Sequence, residues 1–515
     1  MGLEEAQLGT RVEALATGED SHASGPAGEL VPAKAFAQQP GQLGDVGLFA
    51  PAPRMRAPPV LAGVLSAALG ADGQVCGRNC RWCRSSLRRG IAMSFRHLPR
   101  DWSVPLLAVR CAIVVVAGLV VCLHLFGESW DLSWHAGTYR FDLDVYRQGA
   151  QAWWHGRPLN DASPWTGFIY PPCAAVLLSP LAVVPLEVDG ALLTLISIAL
   201  TGVVIAVALR AQGHRPHVWG LVAITSVALL LEPVRTTLGM GQINLVLLAA
   251  VVADVLLAST PWPRGLLVGL AAAVKLTPLV AVLFFVLRGD RRAAFVALLS
   301  FAAATALGAV LAPRDSLRYW TWTVFAVGRI FKPTYASNQN LRAVVARLGL
   351  TGPVGVAVWV MAAVVVAGVG TVAARRALRA HEPGLALVLV AIAGLLVSPL
   401  SWSHHWVWCV PTLLVLADLG RVHRIPRWLA ISGLVLFLIP PHALLPHRGA
   451  AGEHWVLWQQ VVGAGYVLWA LLLLSAAAAA GHRWLCPRPW APSPVDPGVH
   501  QALCAGESVG RRDFW

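Results

Sequence analysis

Apolar runs recur from residue 104 to residue 480, separated by short loops rich in arginine. Many of them approach the roughly 20 residues that an α-helix needs to cross a bilayer. In hydrocarbon every backbone N–H and C=O must be bonded internally, so runs of this length fold as helices. The chain has 515 residues, 57% hydrophobic and 13% charged, with a mean hydropathy of +0.62. That balance excludes a soluble globular protein of this size and predicts an all-α polytopic membrane protein. The formal charge of +14 is mostly arginine. Arginines placed in short loops between apolar runs anchor a membrane protein at its cytoplasmic face and argue against nucleic-acid binding. The nine cysteines give no disulfide framework, since several lie inside apolar runs, where cysteine is a small hydrophobe.

Residues 1–100 are rich in Ala, Gly and Pro without sustained periodicity and read as a disordered cytoplasmic tail. Cys76, Cys80 and Cys83 make half of a zinc site with no second pair nearby. Met93 opens an ordinary membrane-protein start, so the tail also reads as an over-long gene start. Residues 101–482 form the membrane domain, and residues 483–515 a second cytoplasmic tail.

Arginine placement orients the spans. The cluster Arg78 to Arg100 puts the N-terminus inside, span 104–126 leads out, and loop 127–170 is acidic. Pro171–Pro185 holds four prolines and is expected to dip in and return, while 188–210 crosses inward. Runs 217–232 and 243–258 form a hairpin with its tip outside. Run 265–287 is flanked by Arg264 on one side and by Arg288, Arg291 and Arg292 on the other, so both ends belong inside. Its 23 residues cover roughly 35 Å of helix, one crossing and not two. Lys275-Leu276-Thr277-Pro278 at its middle fits two half-helices meeting near the midplane; an ordinary kinked span is the alternative. Runs 293–313, 353–374, 384–400, 405–418, 428–445 and 456–480 complete about ten crossings plus two re-entrant segments. Loop 314–352 carries six basic residues on the side that should be poor in them, and phosphate binding would account for them.

Five polar motifs share the outer side in this topology. The first, Phe141-Asp142-Leu143-Asp144-Val145-Tyr146, keeps an acid beside a membrane span, where a carboxylate is costly unless it works. Asp142 and Tyr146 share a face if the segment is helical. A carboxylate here suits a general base for a hydroxyl nucleophile, and a helix cap or solvated acid is the alternative. The second, Tyr170-Pro171-Pro172, fixes a chain turn. In the third, Glu232 to Asn244, two glycines permit close backbone approach while Arg235, Gln242 and Asn244 offer hydrogen bonds to phosphate or sugar hydroxyls; a tight hairpin tip needs only the glycines. The fourth, Ser337-Asn338-Gln339-Asn340-Leu341-Arg342, suits a polar headgroup or a solvated loop. The fifth, Ser398 to Trp408, sets His404 and His405 at the mouth of a span among tryptophans that suit an interfacial belt.

The order D-L-x-V-Y from Asp142, Y-P-P from Tyr170, E-P-V-R-T-T…G-Q-I-N from Glu232, V-K-L-T-P around Lys275, N-Q at Asn338 followed by Arg342, and S-P-L-S-W-S-H-H-W-V-W ending at Trp408 resembles the polyprenyl-phosphomannose-dependent α-(1→2)-mannosyltransferases of actinobacteria. The resemblance covers residues 100–480. It implies a GT-C glycosyltransferase fold and an inverting, metal-independent transfer needing no cofactor. The donor would be polyprenyl-phosphate-mannose, the acceptor a mannosylated glycolipid or lipoglycan, and the site would face the extracytoplasmic side of the plasma membrane. By resemblance Asp142 is the catalytic base, with His404 and His405 near the transferred group. Asp144, Tyr146, Tyr170, Arg235, Gln242, Asn244, Lys275, Asn338, Gln339 and Arg342 are the candidate substrate-binding residues, with the donor phosphate on Arg235, Arg342 or Lys275. Asp144 fills the variable position of its motif, and Leu341 stands where some relatives carry an aromatic, which bears on the acceptor. Arabinofuranosyltransferases using decaprenyl-phosphate-arabinose, and lipid-linked-sugar transporters, are the rival classes.

Overall fold

Helix after helix follows the apolar runs, and the described residues contain no named strand. The computed structural model describes residues 103–126, 140–162, 167–326, 331–446 and 455–480. The two expected tails, the cysteines at 76, 80 and 83, and the acids Glu128 and Asp131 lie outside them. Residues from 108 onward belong to one compact unit; of a second, residues 20–107, only 103–107 are described, as the start of a helix.

The elements are α1 (Ser103–Phe126), α2 (Phe141–Trp154), α3 (Pro172–Leu177), α4 (Leu186–Ala211), α5 (Val218–Leu230), α6 (Glu232–Met240), α7 (Asn244–Leu256), α8 (Leu266–Val274), α9 (Ala281–Arg288), α10 (Arg291–Leu311), α11 (Pro313–Arg318), α12 (Leu341–Arg347), α13 (Gly352–Arg379), α14 (Pro383–Val397), α15 (Cys409–Leu419), α16 (Arg424–Leu438), α17 (Leu457–Gly463) and α18 (Gly465–Ala479). Prolines open α3, α11 and α14, where the missing N–H costs nothing. Asp290 caps α10 by accepting from the Ala293 N–H at 2.9 Å, and Asn340 caps α12 through Ala343 at 2.7 Å.

Among the described residues four helices can cross a membrane by length and composition, or six if the bent pairs α5–α6 and α17–α18 each count as one. The sequence expectation of ten also counted shorter helices and helices interrupted by bends: α5 turns by 76° into α6 at the end of its run, and run 456–480 bends by 64° between α17 and α18. A 13-residue helix such as α5 or α7 covers about 20 Å, short of the roughly 30 Å hydrocarbon layer on its own. Where four prolines suggested a re-entrant dip, the chain makes the six-residue α3 and a 3₁₀ turn, Ser179–Ala182.

Lys275 breaks run 265–287. It adopts extended backbone between α8 and a 3₁₀ turn, Thr277–Val280, that leads into α9. Gly265 abuts the first turn of α10, where a Cβ would stand 2.1 Å from the Ala293 carbonyl oxygen, and Arg288 ends three residues before α10 begins. Both ends of the segment therefore lie at one end of α10, as two half-helices require, and Lys275 is the apex between them. Arg264 fastens the preceding turn by donating to carbonyls at the end of α7, while Asp254 accepts from the Gly265 and Val268 N–H groups at the start of α8. The core centres on α14, buried on nearly every face among α9, α13, α15 and α18. In contrast, α13 exposes a broad valine face, the expected surface of a lipid-facing helix.

Candidate functional site

Helix α2 is amphipathic, not a span, and it carries the acid. Arg140 and Arg147 tie it to the start of α4: Arg140 donates to the Glu187 carbonyl at 2.9 Å, and Arg147 pairs with Asp189 at 3.0 Å and donates to the Val184 carbonyl at 2.6 Å. Leu143 and Tyr146 are buried one turn apart. Against Leu143 lies Gly241, whose φ of +67° ends α6; a Cβ there would come within 2.6 Å of the Leu143 Cβ. Only glycine meets both demands, and it delivers Gln242 and Asn244 to the face of α2 that holds Asp142 and Tyr146.

A polar cluster results. The Tyr146 hydroxyl donates to Gln242 Oε1 at 2.6 Å and stands 3.4 Å from the Tyr170 hydroxyl. Lys275, 8% exposed, donates from Nζ to Asn244 Oδ1 at 2.9 Å and to Gln242 Oε1 at 3.3 Å, lies 3.4 Å from His405 Nε2, and sits over the Tyr170 ring. The Asn244 amide and the Thr237 hydroxyl both donate to the His404 carbonyl at 2.9 Å, which fixes the 3₁₀ turn Ser403–Trp408 carrying both histidines. Their rings meet edge to face at 4.7 Å, with His404 Nε2 and His405 Nδ1 buried and unpartnered. Asp142 Oδ2 is likewise buried without a partner. Desolvation pushes the Asp142 carboxyl up to about 6, although a hydrogen bond from Gln242 and the Lys275 charge pull the other way. A carboxylate held so, beside a buried cation and unpaired imidazole nitrogens, can take a proton from a hydroxyl while positive charge faces a leaving anion.

Asp142, Tyr146, Tyr170, Gln242, Asn244, Lys275, His404 and His405 thus come together. Other candidates do not join them. Asp144 accepts from Gln148 one turn along its own helix at 2.5 Å. Asn338 and Gln339 are fully buried and bonded to backbone: Asn338 Oδ1 accepts from the Ser401 N–H at 3.1 Å, and the Gln339 amide donates to the Gly463 carbonyl at 2.8 Å. They pin the 331–340 loop to the histidine segment and the α17–α18 bend. Arg342 stacks on Trp359 at 5.6 Å. Arg235 is half-buried and makes no hydrogen bond to a described residue. Among the described residues no group of three or more His, Cys, Asp or Glu could hold a metal ion.

One residue assigned no role from sequence organises the rest. Glu232, buried, accepts from Ser403 at 2.7 Å, from Thr236 at 2.9 Å and from Tyr466 at 2.7 Å. It joins the α5–α6 bend, the residue before His404 and α18. An acid at the end of an apolar run was the available signal.

Comparison with known proteins sets this geometry in context. The model of glycosyltransferase family 87 matches residues 168–399. A polyprenol-phosphate-mannose-dependent α-(1→2)-phosphatidylinositol mannoside mannosyltransferase of Mycobacterium tuberculosis is 39% identical over 390 residues, 71% of this chain and 90% of that protein. Its counterpart in Mycolicibacterium smegmatis is 39% identical over 416 residues, 75% of this chain and 92% of the relative. A phosphatidylinositol pentamannoside mannosyltransferase of M. tuberculosis is 32% identical over 401 residues, 75% of this chain and 89% of the relative. No solved structure matches the chain.

Proposed function

Because the chain belongs to glycosyltransferase family 87, among the polyprenol-phosphate-mannose-dependent mannosyltransferases, we propose that it moves mannose from a polyprenyl-phosphate-mannose donor to a phosphatidylinositol mannoside acceptor, forming an α-(1→2) linkage with inversion. The observation that carries the reading is an Asp142 carboxylate with one unpartnered oxygen, bonded to Gln242 and within electrostatic reach of Lys275.

The acceptor hydroxyl approaches Asp142, which takes its proton as the oxygen attacks the anomeric carbon of mannose. The bond from that carbon to the phosphate oxygen breaks on the opposite face, and polyprenyl phosphate leaves with the electron pair. Lys275 receives the phosphate: its long contacts to Gln242 and His405, 3.3 Å and 3.4 Å, are the ones an anionic oxygen displaces. His404 Nε2 and His405 Nδ1 orient the donor. Tyr146 and Gln242 hold the base and Asn244 holds the cation in register, and the ammonium serves in place of a metal ion. The site opens on the extracytoplasmic side of the plasma membrane, within a GT-C fold of about ten crossings that counts the broken runs as spans.

The test uses membranes containing the protein, radiolabelled polyprenyl-phosphate-mannose and a mannosylated phosphatidylinositol. A labelled glycolipid that α-(1→2)-mannosidase digests is the expected product. Label that crosses the membrane without a new glycosidic bond would make the protein a transporter. Transfer from decaprenyl-phosphate-arabinose alone would change the sugar.

A further inference from the structure

A cavity of about 520 Å³ opens where α9 and α13 end and α14 begins. It is remote from the site, because the Thr277–Val280 turn and α9 together run away from Lys275 for about 20 Å before reaching it. Arg288, Arg375, Arg379 and His381 line it together with Leu287, Leu378 and Pro383, and no carboxylate does. Asp290, the nearest acid in sequence to Arg288, is turned to the α10 N-terminus as its cap, and Glu382 has contacts of its own. Arginines at helix ends often serve only to offset the helix dipole. Two elsewhere in this protein do so visibly: Arg264 and Arg427 donate to last-turn carbonyls. None of the three guanidinium groups in the cavity donates to a carbonyl or pairs with an acid among the described residues. Their charge is left facing the cavity.

The same face of α13 leads from the arginines into the bilayer. Stepping back from Arg379 and Arg375 by turns gives Val372, Gly368, Val365 and Val364. The valines are 46%, 63% and 68% exposed, and a Cβ on Gly368 would meet nothing within 4 Å. An exposed apolar helix face thus continues from a cationic pocket. Free phosphate would use the pocket alone. A phospholipid would use both.

We propose that this pocket binds the phosphate of an anionic membrane phospholipid, with an acyl chain along the Val364–Val372 face of α13. The headgroup would tie Arg288 to Arg375 and Arg379, bracing the half-helix that follows Lys275. Each arginine near a membrane surface adds roughly fivefold to the binding of an anionic lipid, so removing two weakens it by about thirtyfold. The test titrates the purified full chain in neutral detergent with phosphatidylglycerol or with phosphatidylcholine of the same acyl chains, reading lipid retention by native mass spectrometry. The wild type is expected to retain phosphatidylglycerol about thirtyfold more tightly than the Arg375→Gln/Arg379→Gln variant, with phosphatidylcholine held equally weakly by both. Equal unfolding temperatures without lipid establish that the variant folds, and Arg288→Gln alone gives a second, smaller loss. Equal retention of the two lipids by the wild type, or of phosphatidylglycerol by wild type and variant, overturns the proposal. So does full displacement of the lipid by millimolar inorganic phosphate, which would make the site one for soluble anions.

Discussion

The base assignment makes a quantitative statement about pH. Asp142 is held up to about 6 because burial disfavours its charge more than Gln242 and Lys275 favour it. The group must be ionised to accept a proton, so activity is present above this value and lost as pH falls through it. At pH 7 about nine-tenths of the base is charged and at pH 5 about one-tenth, so kcat/KM falls by roughly tenfold across that interval. An ordinary exposed aspartate, ionising near 4, would lose only about a tenth of its activity there. The assay is initial-rate transfer of labelled mannose in detergent micelles from pH 4.5 to 8, with stability checked at each pH. Asp142→Asn removes the acid limb and lowers turnover by about 10²- to 10⁴-fold while donor binding persists. Asp144→Asn leaves the limb where it is, since that carboxylate is turned to Gln148. An acid limb that survives in Asp142→Asn and disappears in Asp144→Asn would refute the assignment. A wild-type limb below pH 4.5 would refute the burial argument behind it.

Lys275→Met removes the buried charge; transfer is expected to fall by about 10²-fold or more without rescue by added Mg²⁺, and the acid limb of kcat/KM to move upward because a charge favouring ionised Asp142 is gone. Glu232→Ala strands the hydroxyls of Ser403, Thr236 and Tyr466, a loss of about 3 kcal/mol or more that appears as faster thermal inactivation, whereas Glu232→Gln keeps an acceptor and costs about half of that. Gly241→Val forces a branched side chain into left-handed backbone against Leu143; the strain of about 1–3 kcal/mol is expected to depress activity beyond what the fall in stability explains, because Leu143 adjoins the base.

Helix existence was legible because bilayer solvation leaves few options for an apolar run. Helix continuity was not, because breaks depend on what surrounds them. The Lys275 break could be read from sequence since it needed three local signs: a charge, a following proline and arginines at both ends. The bend between α5 and α6 carries only Glu232-Pro233, and proline in the first turn of a helix is as compatible with a fresh start as with a kink. What decides for a sharp turn is the Glu232 carboxylate's anchorage to Ser403 and Tyr466, residues 171 and 234 positions away. The same distinction separates the site residues. Asp142, Lys275 and the histidines were legible because an ionisable group near hydrocarbon needs a partner or a task. Asn338 and Gln339 are not ionisable, but as polar side chains in an apolar setting they look equally suited to a ligand from sequence. Buried amides are drawn both by ligands and by unpaired backbone, and here the backbone of Pro333 and Ser401 takes both ends of Asn338 and that of Ala336 and Gly463 takes the Gln339 NH₂, leaving Gln339 Oε1 unpartnered. A polar motif in a membrane protein therefore marks a place where hydrogen bonds must be met, and only the fold says whether substrate or the chain itself meets them. Many buried polar atoms of the chain lack a partner, but Asp142 Oδ2, His404 Nε2 and His405 Nδ1 belong to side chains gathered about the Lys275 ammonium, and that convergence is the physical ground for the proposed chemistry.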